Sequence, residues 1–251
     1  MTAGVSQRRG TGPDSRTPPR YWAVVASAGG SARMGLGKPK QYLMLRGRAL
    51  LEWSLAPFLD AEGIDGVVVV LARGDAEFAR LPIARHPKII TVTGGASRAD
   101  SVLAGLAAVT AASQRLSGAI YTLIHDAARP CLTVDDIERL RDEATDDNGG
   151  LLALPVTDTL KREARDRAVA TIDRSELWRG QTPQLFRLDL LRNALELSRT
   201  RSPPMDDEAA AMEAAGYKPL LLRGRESNLK VTYPEDLPLA EFWLSRQEYA
   251  R

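Results

Sequence analysis

From Tyr21 onward, short apolar runs alternate with amphipathic stretches. Tyr21–Ser27 (YWAVVAS), Gly66–Ala72 (GVVVVLA), Ile89–Thr93 (IITVT), Ala119–His125 (AIYTLIH) and Gly149–Pro155 (GGLLALP) are short and strand-like, several of them rich in β-branched residues. Such runs predict strands buried on both faces. Between them, Ala49–Asp60, Arg98–Ala112 and Val134–Ala144 carry helical character, with Thr133 placed to cap the third and Pro57 placed to break the last turn of the first. Further helices are expected at Leu188–Ser198, at about Asp207–Ala215 with Gly216 at C′, and at Pro234–Arg246, with a last strand at Pro219–Leu222. The rhythm implies an α/β protein with a mostly parallel sheet and helices on both faces. Ligands of such sheets collect beyond the carboxyl ends of the strands, so the loops there are the informative ones.

One stretch breaks the rhythm. Val156–Trp178 places two short extended segments around the charged centre REARDR. It reads either as a solvated surface hairpin or as an arm leaving the domain. An isolated hairpin is only marginally stable, so an arm needs a surface to pack on, most simply a second copy of the chain. Residues 1–20 mix Gly, Pro, Ser, Thr and Arg with almost nothing to bury and are expected to be disordered, leaving 21–251 as a single domain.

Composition narrows the function classes. At 251 residues and 44% hydrophobic, the chain can bury a core without staples. One cysteine excludes an intrachain disulfide framework, and two histidines argue against a histidine-built zinc site. No apolar run is long enough for a transmembrane helix, and the N-terminus lacks the apolar segment of a secretory signal, so a cytoplasmic setting is expected. The net charge of +2 is uneven. Residues 1–20 hold four arginines and one aspartate, which leaves 30 basic and 31 acidic side chains elsewhere. A nucleic-acid surface is therefore not implied. Local clustering matters more: Arg33, Lys38, Lys40, Arg46 and Arg48 lie between Tyr21 and Leu51 with no acid among them.

Three loops follow predicted strands. The first, Ala28-Gly29-Gly30-Ser31-Ala32-Arg33 through Lys40, offers backbone amides and cations to an anion. It has neither the P-loop spacing nor G-x-G-x-x-G, which disfavours a dinucleotide-dependent oxidoreductase. The second, Gly94-Gly95-Ala96-Ser97-Arg98 through Ser101, enters a helix; it is either a capped helix start or a site where Arg98 and Ser101 meet a ligand. The third, His125-Asp126-Ala127-Ala128-Arg129-Pro130, puts a carboxylate at the end of a buried strand, where it needs a partner. Mg²⁺, a sugar hydroxyl and Arg129 are the candidates. His125 and Cys131 read as structural residues, and Lys230 as either a solvated or an inward-facing lysine.

Together, SAGGSARM, PKQY, GGASRADSV, HDAARP, PVTDTLK, DRSELW, QTPQ and NLKVTYPEDL resemble, in that order, the 2-C-methyl-D-erythritol 4-phosphate cytidylyltransferases. The resemblance spans about Tyr21 to Phe242. It implies a three-layer Rossmann-like nucleotidyltransferase fold, a homodimer formed through a β-arm at about 156–178, and Mg²⁺-dependent reaction of CTP with methylerythritol phosphate. Arg33 and Lys40 would stabilise the triphosphate charge, and Arg174 and Lys230 would position the attacking phosphate. Ala28, Gly29, Gly30, Gly94, Gly95, Ala96, Arg98 and Ser101 would contact the nucleotide. Asp126 would lie near metal and ribose. Arg129, Thr159 and Thr182 would help hold the sugar phosphate, with Thr159 and Arg174 donated by the other subunit. Ser27, Ser31, Ala96 and Asp206 depart from the family pattern. A different polyol phosphate such as ribitol 5-phosphate, or a nucleotide-binding homologue without turnover, are the other readings.

The chemistry agrees with a site rich in Arg and Lys and poor in His. Two anions must meet, and the phosphate oxygen that attacks is already ionised, so alignment and charge neutralisation matter more than a base.

Overall fold

A computed structural model describes residues 17–29, 39–199, 205 and 207–249. Strand β1 (Arg20–Ser27) is followed by the two-residue strands β2 (Met44–Leu45) and β3 (Arg48–Ala49), helix α1 (Leu50–Asp60) and β4 (Ile64–Leu71). Then come β5 (Ile89–Thr93), α2 (Arg98–Ser113), β6 (Ile120–Asp126), α3 (Val134–Glu143) and β7 (Gly150–Pro155). The last part holds β8 (Leu160–Ala164), β9 (Arg167–Ile172), β10 (Trp178–Arg187), α4 (Leu188–Ser198), α5 (Glu208–Ala214), β11 (Leu220–Arg223) and α6 (Asp236–Tyr249).

The central sheet has seven strands in the order β11-β7-β10-β6-β1-β4-β5. The pairs β1–β4, β1–β6, β4–β5 and β7–β11 are parallel, and only β10 runs antiparallel to its neighbours. Alternation through the valine-rich strands divides the core. Val25, Val67 and Val69 face a layer with Leu51, Leu55, Phe58, Ile137 and Leu140 of α1 and α3. Val24, Val68 and Val70 face Val102, Leu106, Leu191, Leu195 and Met212 of α2, α4 and α5. The sheet is thus buried on both sides, which is why its strands read as continuous apolar runs. A Cβ on Gly105 would stand 2.4 Å from Val24 Cγ1, so glycine is what lets α2 lie close on β1. A third cluster seats α6 through Ala240 and Leu244 against Leu45, Leu50, Cys131 and Val231.

Ile89–Thr93 and Leu188–Ser198 form where the pattern predicts them. Thr133 caps α3 by accepting from Asp136 N at 3.2 Å, and Gly216 follows α5 with φ +95°. Two local expectations change. Pro57 remains inside α1, which ends at Asp60 with Ala61 N bonded to the Pro57 carbonyl. Order begins before Tyr21, because Arg20 opens β1, pairs with Ile120 and meets Asp65 at 2.5 Å. Residues 1–16 lie outside the described residues.

The stretch after β7 forms the hairpin β8–β9, a separate two-stranded sheet turning through Arg165 and Asp166 at φ 53° and 61°. Its charged residues are exposed, as are Val169, Leu177 and Trp178. The chain then returns along β10, a strand that the pattern did not predict.

Candidate active site

Parallel strands β1, β5 and β6 deliver their following loops to one edge of the sheet. There they surround a cavity of about 340 Å³ whose walls include Ala28, Gly29, Lys40, Gly95, Arg98, Asp126 and Lys230. Asp126 ends β6 beside Ala26 of β1 and is 6% exposed. Its Oδ1 accepts from Arg98 Nη1, its Oδ2 lies 2.7 Å from Lys230 Nζ, and Arg129 Nε stands 3.9 Å away. Burial pushes this carboxyl up, but the Arg98 guanidinium, Lys230 and Arg129 outweigh it and hold the group well below the usual carboxylate range. Asp126 is therefore an anion through the neutral range, with three cations gathered on it.

Behind Asp126 runs a relay of hydrogen bonds. Its backbone N–H donates to Thr182 Oγ1 at 3.0 Å, and Thr182 Oγ1 lies 2.9 Å from His125 Nδ1. His125 Nε2 lies 3.3 Å from the Arg129 carbonyl, which can only accept. The proton therefore sits on Nε2, and Thr182 donates to Nδ1. Burial lowers the His125 pKa to about 3, so the ring is neutral. Asn228 completes the support: its Nδ2 donates to the Thr182 carbonyl at 2.9 Å, and its backbone carbonyl accepts from Arg129 Nη1 at 2.7 Å.

The second loop is held by its own polar groups. Ser97 caps α2 in a reciprocal box with Asp100, and Ser101 Oγ accepts from Gly95 N and donates to the Ser97 carbonyl. A Cβ on Gly95 would stand 2.3 Å from Asp100 Cβ, and one on Gly94 would stand 2.7 Å from Ala28 Cβ. Small residues here are a packing requirement as well as an opening to the cavity. On the opposite side, Gln41 Nε2 donates to the Ser27 carbonyl and Lys40 Nζ to the Val231 carbonyl, so PKQY is tied to both β1 and the C-terminal loop.

Residues 21–246 match the family model for 2-C-methyl-D-erythritol 4-phosphate cytidylyltransferase. The chain belongs to this family. It is 48% identical over 226 residues to the cytidylyltransferase of Mannheimia succiniciproducens, covering 90% of this chain and 96% of that one. It is 46% identical over 236 residues to that of Klebsiella pneumoniae, covering 93% and 97%. Among solved structures, a 4-diphosphocytidyl-2C-methyl-D-erythritol synthase superposes with a TM-score of 0.77 at 36% identity, covering 90% of this chain and 98% of that one. The cytidylyltransferase of Thermus thermophilus superposes at 0.71 and 32%, covering 89% and 98%.

Among the described residues, those implied by the cytidylyltransferase resemblance fall into three groups, and Gly94 stands apart, in a hollow it shares with Ala72 and Arg73. Lys40, Gly95, Ala96, Arg98, Ser101, Asp126 and Lys230 share the cavity with Ala28 and Gly29. Arg129 and Thr182 are buried behind it and engaged with the loop itself. Thr159 and Arg174 are exposed on the arm, where Arg174 Nη1 donates to the Thr157 carbonyl, and neither lines the cavity. Gly30, Ser31, Arg33 and Asp206 lie outside the described residues. Arg98 gives one η nitrogen to Asp126 and the other to Glu208 at 3.0 Å, so the guanidinium that the sequence offered to a nucleotide meets two carboxylates.

The sequence reading missed Gln184 and Glu208. Gln184 stands in QTPQ, the only available signal, and fixes the start of α5: its Nε2 donates to Asp207 Oδ2 and its Oε1 accepts from Ala209 N. Cys131 is a core residue whose thiol burial pushes up to about 12. The described residues contain no group of three or more His, Cys, Asp or Glu able to hold a metal, and none of their helices is long and apolar enough to cross a membrane.

Proposed function

We infer that this cavity joins CTP to 2-C-methyl-D-erythritol 4-phosphate, giving the CDP-linked product and pyrophosphate for isoprenoid precursor synthesis. The observation that carries the reading is the convergence of Lys40 and Lys230 on the cavity that Asp126 closes, within a chain of this family. An oxygen of the sugar phosphate attacks the α-phosphorus of CTP. A new P–O bond forms, the bond to the bridging oxygen breaks, and pyrophosphate leaves with the electron pair. The attacking monoester is largely ionised near neutral pH, so no base is required. Negative charge from both reactants meets at the α-phosphorus, and Lys40 and Lys230 offset it. Arg33 joins them in this reading, and the glycine-rich loops offer backbone amides to the nucleotide.

A divalent cation, Mg²⁺ by preference, suits the donor set. It needs few protein ligands when phosphates supply the rest, and Asp126 is the ionised carboxylate at the cavity wall. When bound, it would neutralise phosphate charge. The arm is read as reaching a second copy, where Thr159 and Arg174 would complete the neighbour's acceptor site. The exposed Val169, Leu177 and Trp178 support this, because a two-stranded hairpin is marginal without packing. A cytoplasmic setting fits the reactants.

Pyrophosphate release with CTP, UTP, ATP or GTP, combined with mass analysis of the product from methylerythritol phosphate and from ribitol 5-phosphate, tests the reading. CTP with methylerythritol phosphate is expected to dominate. A preference for ribitol phosphate would reassign the acceptor, and no pyrophosphate with any pair would remove the activity.

A further inference from the structure

Glu208 is 1% exposed, and its carboxylate is engaged by the Arg98 guanidinium. Burying a carboxylate costs several kcal/mol before pairing, and an apolar residue at such a place is often more stabilising. Something other than packing has to justify it. The answer lies in what Arg98 does with its two η nitrogens. One meets Glu208 Oε2 at 3.0 Å and the other meets Asp126 Oδ1, so the fork is split between two carboxylates. A guanidinium beside a single carboxylate tends to close both prongs on it, the stronger arrangement. Closed on Asp126, the fork would claim Oδ2 as well. That oxygen is the one Lys230 meets at 2.7 Å.

We propose that Glu208 is a positioning residue for nucleotidyl transfer: by holding one prong of Arg98, it keeps Asp126 Oδ2 available to Lys230 and to ligands in the cavity. The device is anchored from behind. Gln184 of β10 grips both Asp207 and the Ala209 amide, and Asp207 Oδ1 caps α5 by accepting from Ala210 N at 2.9 Å, so the backbone that carries Glu208 is fixed at the helix start. Arg98 then acts within the wall of the cavity rather than as a donor to the triphosphate. The inference rests on the reading of Asp126 and Lys230 as site residues.

The test is a double-mutant cycle on the full-length enzyme, with kcat, both KM values and thermal melting measured for Glu208→Ala, Arg98→Ala, the double variant and Glu208→Gln. Action through Arg98 predicts that Glu208→Ala lowers kcat about tenfold while KM for CTP stays within about threefold. Glu208→Gln, which still offers Arg98 an acceptor, should recover most of the loss. The double variant should be no slower than Arg98→Ala, because the two substitutions remove one device. Losses that multiply, or a wild-type kcat in folded Glu208→Ala, would overturn the proposal. Should Glu208→Ala not fold, Glu208→Met refills the volume and takes its place in the cycle. Asp126→Asn separates the two levels: full activity there removes the site reading itself. An inactive Asp126→Asn beside fully active Glu208 variants removes only the role of Glu208.

Discussion

Lys40 donates its Nζ to the carbonyl oxygen of Val231 at 2.9 Å, across 191 positions of the chain. Val231 follows Lys230 and is itself anchored, its N–H bonded to the Ala128 carbonyl at 2.8 Å. The contact brings two ammonium groups to the same cavity and fixes the spacing of the positive charge there. Replacing Lys40 by Ala is expected to lower turnover at least about 100-fold, in the range seen when one charge-stabilising donor is lost. The hydrogen bond to Val231 is worth about 1 kcal/mol, which corresponds to a fall in melting of about 2–4 °C. Pyrophosphate release and a thermal melt on the same preparation check both halves; retained turnover would remove Lys40 from the reaction.

The neutral His125 makes stability depend on pH. Its pKa is near the ordinary value of about 6.5 when unfolded and about 3 when folded. Above the unfolded value both states are neutral and the native state keeps its full margin. As pH falls through the window between the two values, the unfolded chain takes up a proton that the native state refuses. Stability is then lost at up to about 1.4 kcal/mol per pH unit from this group. The depressed Asp126 carboxyl acts in the same direction, but only below the ordinary carboxylate range. Denaturant melts between pH 5 and pH 7 (on the order of the window set by the unfolded histidine) should therefore show a slope that His125→Gln removes. An unchanged slope in that variant would show that the ring titrates freely.

Gly95 is a place where shape precedes chemistry. An added methyl would stand 2.3 Å from Asp100 Cβ, on the first turn of α2, so the loop has to lift away. Lifting it also breaks the 3.2 Å bond from Gly95 N to Ser101 Oγ. Gly95→Ala is expected to raise KM for CTP about tenfold or more while changing kcat at saturation less, the pattern of lost uniform binding. Steady-state kinetics over a range of CTP decide it.

The arm gives a prediction about assembly. If Arg174 serves the neighbouring site, Lys40→Ala and Arg174→Ala homodimers should each be nearly inactive, yet their mixture should recover. In a mixed dimer one site has both residues and the other has neither, so random exchange of equal amounts restores about a quarter of wild-type activity. Mixing after subunit exchange and measuring pyrophosphate release tests this; no recovery would place Arg174 in its own chain's site or outside the reaction.

The fold was largely legible because the inner parallel strands β1, β4 and β6 are buried on both faces, and helices such as α3 and α4 on one. The strand at Trp178–Arg187 was not. Gln181, Thr182 and Gln184 are buried, each makes a side-chain hydrogen bond to a distant residue, and Pro183 interrupts the ladder where the register shifts between Gly180 and Gln184. No period of two survives that combination. The loops around the cavity were legible one by one, since each follows a strand. Their wiring was not: Arg98, Asp126 and Glu208 come from three distant places in the sequence, and only the sheet order brings them together. Arg98 shows the consequence, because its residue type suited an anion while its surroundings supply two carboxylates.

The most direct measurement is a crystal structure of the protein with CTP bound. The triphosphate is expected in the cavity against Lys40 and Lys230, with the base beside Gly95 and Ala96 and Arg98 still split between Asp126 and Glu208. Nucleotide bound elsewhere, with both lysine ammonium groups turned to bulk water, would contradict that placement and the charge-neutralising role of the two lysines with it.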